Sequence, residues 1–157
     1  MLLKSLFNKW IHFESTAHFT KIVSEIKTLN DYDSVIQVYM ELYRKYDHAQ
    51  KRYLLVKLLD DLLLCFSSDI GNLVIENLME IVELTRSSKM PKDWSTKLQE
   101  FIFESLEKWA KEYPQYRAFK IAYQQILDSH DGNSFRSTRA KRECFVIAFF
   151  ITASKLS

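Results

Sequence analysis

KRYLLVKLLDDLLLCF, Lys51 to Phe66, is the stretch on which the fold turns. From Tyr53 to Phe66 only Lys57, Asp60 and Asp61 interrupt the apolar residues, so a helix here is apolar around most of its circumference. Such a helix is packed on several sides. The segment therefore predicts a central helix, closed by Ser67, Ser68 and Asp69, with the other elements laid around it.

The flanking sequence supplies those elements. Leu2, Leu3, Leu6, Phe7, Trp10 and Ile11 recur at helical spacing and leave Lys4, Asn8 and Lys9 to the opposite side. Ser15 or Thr16 can cap a second stripe of Phe19, Ile22, Val23, Ile26 and Leu29. A turn at Asn30, Asp31 and Asp33 leads to a third of Val35, Val38, Tyr39, Leu42, Tyr43 and Tyr46, ending near Asp47 and His48. Beyond the central helix, Leu73, Val74, Asn77, Leu78, Ile81 and Val82 predict another amphipathic helix, and TRSSKMPKD is the longest polar connection.

Asp93 can cap the next helix, in which Trp94, Leu98, Phe101, Ile102, Leu106, Trp109 and Tyr113 share one face. The other face carries Lys97, Glu100, Glu104, Lys108 and Lys111, with Glu104 and Lys108 at favourable pairing distance. Pro114 disfavours helical geometry at Tyr113 and can open a new helix, whose Tyr116, Phe119, Tyr123, Ile126 and Leu127 must pack antiparallel to the helix before it. Trp109 is thereby a cross-helix anchor of the core, of which Leu58, Leu59, Leu106 and Tyr123 are further expected members. These stripes predict an all-α fold, a stacked superhelical array of about seven short helices.

Composition agrees. A chain of 157 residues, 47% hydrophobic and 14% aromatic, suits one domain with a substantial core. Two glycines and two prolines are far too few for the turns of an all-β chain of this length. A formal net charge of +2 confines any basic function to a local cluster. Cys65 and Cys144 sit in apolar runs without paired spacing and are read as core thiols of a reducing compartment. Lys4 and Lys9 interrupt MLLKSLFNKWIHF, so no signal peptide is read there.

Little in the chain suggests catalysis. His12, His18, His48 and His130 fall on separate elements, without the close spacing of zinc ligands. Ser129, His130 and Asp131 are adjacent in a polar turn and cannot converge as a triad. Asp128 to Asn133 lacks the register of a calcium loop, and no glycine-rich phosphate loop occurs. Asp60 and Asp61 point about 100° apart on a helix and cannot share a site as a dyad; a solvent edge or a basic partner accounts for them. A binding module without metal or cofactor is the expected class.

KLLDDLLL, followed at an interval by FIFESLEKWAKEYPQYRAFKIAYQQI, resembles the VHS and ENTH superfamily, through Leu58, Leu59 and Asp60 of a leucine-aspartate helix and Leu106 and Trp109 of a later one. The order of EIVELT, a loop with Pro91, the Trp109 helix, the helix of Ala122 and Tyr123 and the basic run RSTRAKRE is similar to the amino-terminal VHS-like domains of the UV-stimulated scaffold protein A family, over roughly residues 1 to 143. The resemblance implies a nuclear, non-enzymatic scaffold of transcription-coupled nucleotide excision repair, docked on the Cockayne syndrome WD-repeat ubiquitin-ligase subunit at stalled RNA polymerase II. Ubiquitin is a further possible ligand. Residues 1–130 would be the helical domain, 131–143 a basic linker with Arg136, Arg139, Lys141 and Arg142, and 144–157 an apolar tail too short to cross a bilayer.

Two rival readings belong to the same superfamily. Endosomal adaptors bind ubiquitin, sorting peptides or phosphoinositide, but usually carry an Asn-Cys-Gly turn where this chain has Leu64, Cys65, Phe66 and Ser67. A related domain grips the RNA polymerase II tail peptide, with a groove of Tyr, Asp and Arg not recognisable here. If the scaffold reading holds, charge placement puts the docking surface at Lys108, Lys111, Arg117 and Lys120.

Overall fold

The structure, a computed structural model, describes residues 2–88 and 92–128. The expectations for Ser129, His130 and Asp131, for Cys144, for the basic run and for the apolar tail lie outside the described residues. Among those described the chain is entirely helical, with α1 at Leu2–His12, α2 at Thr16–Leu29, α3 at Tyr32–Lys45, α4 at Ala49–Arg86, α5 at Lys92–Glu112 and α6 at Arg117–Asp128.

The sequence sets the helix ends locally. Ser15 caps α2 by accepting the His18 N–H at 3.2 Å, and α2 stops where Asn30 takes the left-handed conformation at φ 47°. Asp31 caps α3 through the Ser34 N–H at 3.2 Å and the Ser34 hydroxyl at 2.7 Å. Asp33 thus lies inside the first turn of α3 rather than in the preceding turn. Asp93 likewise falls in the first turn of α5, where its charge favours the helix start, instead of capping it.

The central helix does not end at Ser67, Ser68 and Asp69. One residue, Phe66, leaves helical geometry at φ −133° and ψ 29°, and α4 continues to Arg86. That single residue reverses the chain. Arg52, near the start of α4, donates from Nη1 to the Leu84 carbonyl at 2.6 Å, 32 residues further on. A straight helix would hold those positions about 50 Å apart. α4 is therefore two antiparallel arms, which restores the seven helical stripes expected within six continuous elements. Cys65, expected in the core, is exposed at the bend, and Leu64 beside it is 74% exposed.

The two arms of α4 form the centre, against which α3, α5, α6 and α1 pack, with α2 laid on α1 and α3. Tyr39 donates to the Leu55 carbonyl at 2.6 Å, tying α3 to the first arm. The Tyr43 hydroxyl meets Thr85 Oγ1 at 2.6 Å, tying α3 to the second, while Thr85 donates to the Ile81 carbonyl. Burial pushes the Tyr43 phenol up to about 12. α5 and α6 are antiparallel, as their aromatic stripes require: Phe103 stacks on Tyr123 at 4.8 Å between centroids, and Trp109 meets Phe119 at 5.5 Å.

Arg52 is the unexpected member of the core. Only 2% exposed, it donates from Nε to the Tyr43 carbonyl at 3.0 Å and from Nη1 to the Leu84 carbonyl and to Ser88 Oγ at 2.8 Å. One guanidinium thus serves the carboxyl ends of both α3 and α4, where helix dipoles concentrate negative potential.

Candidate functional site

Two of the residues that carry the resemblance, Asp60 and Trp109, meet between α4 and α5. Leu58, Leu59, Leu106 and Trp109 are fully buried, and Tyr123 of α6 is 8% exposed. An indole N–H cannot be buried cheaply without an acceptor. Asp60 Oδ1 supplies it, accepting from Trp109 Nε1 at 2.8 Å, and Asp60 Oδ2 accepts from Lys108 Nζ at 2.9 Å. The hydrogen bond from Lys108 to Asp60 holds that ammonium above the ordinary lysine value. Lys108 therefore turns to Asp60, 48 residues away, and not to Glu104 as the helical spacing suggested. Among the described residues Asp61 has no such partner. Burial, followed by the charge of Asp60, pushes its carboxyl up.

Where α5 ends, Pro114 and Gln115 form the turn and α6 begins only at Arg117. The turn is closed by backbone bonds from Tyr113 N–H to the Trp109 carbonyl at 2.8 Å and from Tyr116 N–H to the Tyr113 carbonyl at 3.0 Å. Tyr116 then lies across α4 just past its bend. Its hydroxyl donates to the Ser67 carbonyl at 3.0 Å, and its ring crosses Gly71 so closely that a Cβ there would stand 2.7 Å from the phenol oxygen. Glycine is needed at this position for the ring to pass.

The four sequence-predicted docking residues divide into two pairs. Lys108 is held by Asp60, and Lys111 reaches Glu107 at 3.3 Å, while Glu107 also accepts from the Tyr123 hydroxyl at 3.0 Å. Arg117 and Lys120 are exposed and form no ion pair among the described residues. Ile121, which the sequence reading passed over, is 56% exposed beside Lys120. With Gln124 these residues follow the spacing of a single helix face, so the outer side of α6 is an apolar spot flanked by two free cations. The signal was available in the sequence, because Ile121 falls off the stripe of Phe119, Tyr123 and Ile126 and so belongs to the solvent side.

No cluster of three or more histidine, cysteine or acidic residues suited to a metal occurs among the described residues. No described helix is long and apolar enough to cross a membrane. Compared with known proteins, the chain matches no family model, no curated protein and no solved structure.

Proposed function

We propose that this chain is a non-catalytic docking domain of a nuclear repair scaffold, similar to the UV-stimulated scaffold protein A family, which engages the Cockayne syndrome WD-repeat ubiquitin-ligase subunit at stalled RNA polymerase II. The observation that carries the reading is the Asp60 to Trp109 hydrogen bond. It joins Asp60 of the leucine-aspartate motif to Trp109 of the leucine-tryptophan motif, 49 residues apart in sequence, which supports reading the two motifs together. The bond ties α5 to α4, α6 packs on α5, and the outer face of α6 presents Arg117, Lys120 and Ile121. A partner of this face would bring carboxylates to the two cations and an apolar side chain to Ile121.

The test is direct binding of the purified chain to the purified WD-repeat subunit by biolayer interferometry. The Arg117→Glu, Lys120→Glu double variant should bind at least about tenfold more weakly with an unchanged melting temperature. Failure of the parent chain to bind, or binding indifferent to these two reversals, would overturn the reading. Recovery of endosomal cargo in place of the repair complex would favour the adaptor class.

A further inference from the structure

A second surface lies at the end of α4 away from its bend, where α4 starts beside the last turns of α1. Two recesses of about 430 Å³ each open there, one on either side of His12, and together they make up a surface trough. Lys9, His12 and Phe13 line it from α1 and the residue after it, and His48, Lys51 and Leu54 from the start of α4. Every described titratable side chain in its lining is basic.

Of the neighbouring carboxylates, Glu41 binds Lys4, itself a lining residue at one end, at 2.9 Å, Glu14 binds Lys57, and the charge of Asp47 acts on the buried Arg52. Lys9, His12 and Lys51 form no ion pair among the described residues. The trough is also held in shape. Tyr46 donates to Asn8 Oδ1 at 2.6 Å, joining α3 to α1, and its ring lies under the Lys51 ammonium at 4.5 Å and the Lys45 ammonium at 5.4 Å. His48 accepts the Gln50 N–H through Nδ1 at 3.2 Å, which fixes the proton of its neutral form on Nε2 as a donor.

The apolar contribution is equally fixed. Phe13 is 72% exposed, and its carbonyl is bonded to His18 Nδ1 at 2.7 Å, which ties the α1 to α2 turn. A large aromatic left in solvent, next to Lys9 and Lys51, which have no counter-charge among the described residues, is the composition of a recognition surface.

We propose that this trough is a docking site for an acidic peptide segment of a partner protein, with carboxylates meeting Lys9, His12, His48 and Lys51 and an apolar side chain resting on Phe13 and Leu54. Charge complementarity selects that occupant. A second copy of the chain would bring the same cations together, and like charges facing one another oppose association.

The experiment uses the full chain and a fluorescein-labelled Glu-rich peptide carrying one Leu, read by fluorescence anisotropy at low and physiological salt. The parent should bind, more weakly as salt rises. The Lys9→Glu, Lys51→Glu variant should lose at least about tenfold in affinity, whereas Lys9→Arg, Lys51→Arg should retain it. Circular dichroism melts must coincide for all three proteins. No binding by the parent, or equal binding by the charge-reversed variant, overturns the proposal. So does a chain that ignores the peptide but sediments with phosphatidylserine vesicles through Lys9 and Lys51, or that dimerises through them, since the occupant would then be a lipid surface or a second copy.

Discussion

Replacing Arg52 by methionine keeps most of the side-chain volume and removes every donor. Two of its three acceptors have a fallback. The Leu84 carbonyl still receives the Ser88 hydroxyl at 2.8 Å and the Ser87 hydroxyl at 3.2 Å, and Ser88 keeps its own bond as donor. The Tyr43 carbonyl has no other bond among the described residues, so the substitution strands a buried acceptor at about 1–3 kcal/mol. Loss of a cation from the ends of two helices adds about 1 kcal/mol. Against this stands the cost of burying the guanidinium itself, since burial pulls Arg52 below its ordinary value. The net loss is therefore below the summed ~2–4 kcal/mol but still a loss, to be read from urea titrations with an unchanged slope. Arg52→Lys should lose nearly as much, because one ammonium cannot serve the Tyr43 and Leu84 carbonyls in the fork geometry of arginine. If Arg52→Met unfolds at the same urea concentration as the parent, the guanidinium does not hold the α4 reversal closed, and the account of the fold's centre fails.

Gly71→Ala should change sign with its neighbour: destabilising by about 1–2 kcal/mol in the parent, where Tyr116 crosses the site, and stabilising by up to about 1 kcal/mol in a Tyr116→Ala background, where only helix propensity remains. Destabilisation in both backgrounds would disprove the contact. Trp109→Ala should cost about 3–5 kcal/mol by chemical denaturation, and a variant as stable as the parent would remove Trp109 from the core. Asp61 has a folded-state carboxyl raised above its ordinary 3.8, so the folded chain binds its proton more tightly than the unfolded chain and stability falls as pH rises through the folded value. Asp61→Asn should accordingly stabilise the protein at neutral pH, with the gain vanishing in melts below about pH 3.8; a gain that persists in acid would have another cause.

Each helical stripe was legible because amphipathic periodicity is a local property, and every stripe read from the sequence lies on a helix. The bend at Phe66 was not, because polar residues mark a break only when a loop has residues to spare. Here the reversal uses one residue, itself aromatic and set against Tyr32 at 6.0 Å, so the Ser67, Ser68 and Asp69 trio enters the second arm instead of forming a connection. Misplacing the bend also hid the exposure of Cys65, which sits at the end of an arm. Arg52 lies three, four and seven residues before Leu55, Val56 and Leu59, on the buried stripe. That position is the trace left in the sequence of a charge held inside. Its acceptors could not be read, since they come together only when α4 folds back. The same limit applies to both candidate surfaces. Glu104 stood four residues from Lys108, but Asp60 from another helix takes the ammonium, and His12 and His48, which seemed unrelated, face one trough. In a helical stack, what is buried can be read from spacing along one helix, while which charges remain available to a partner is decided between helices.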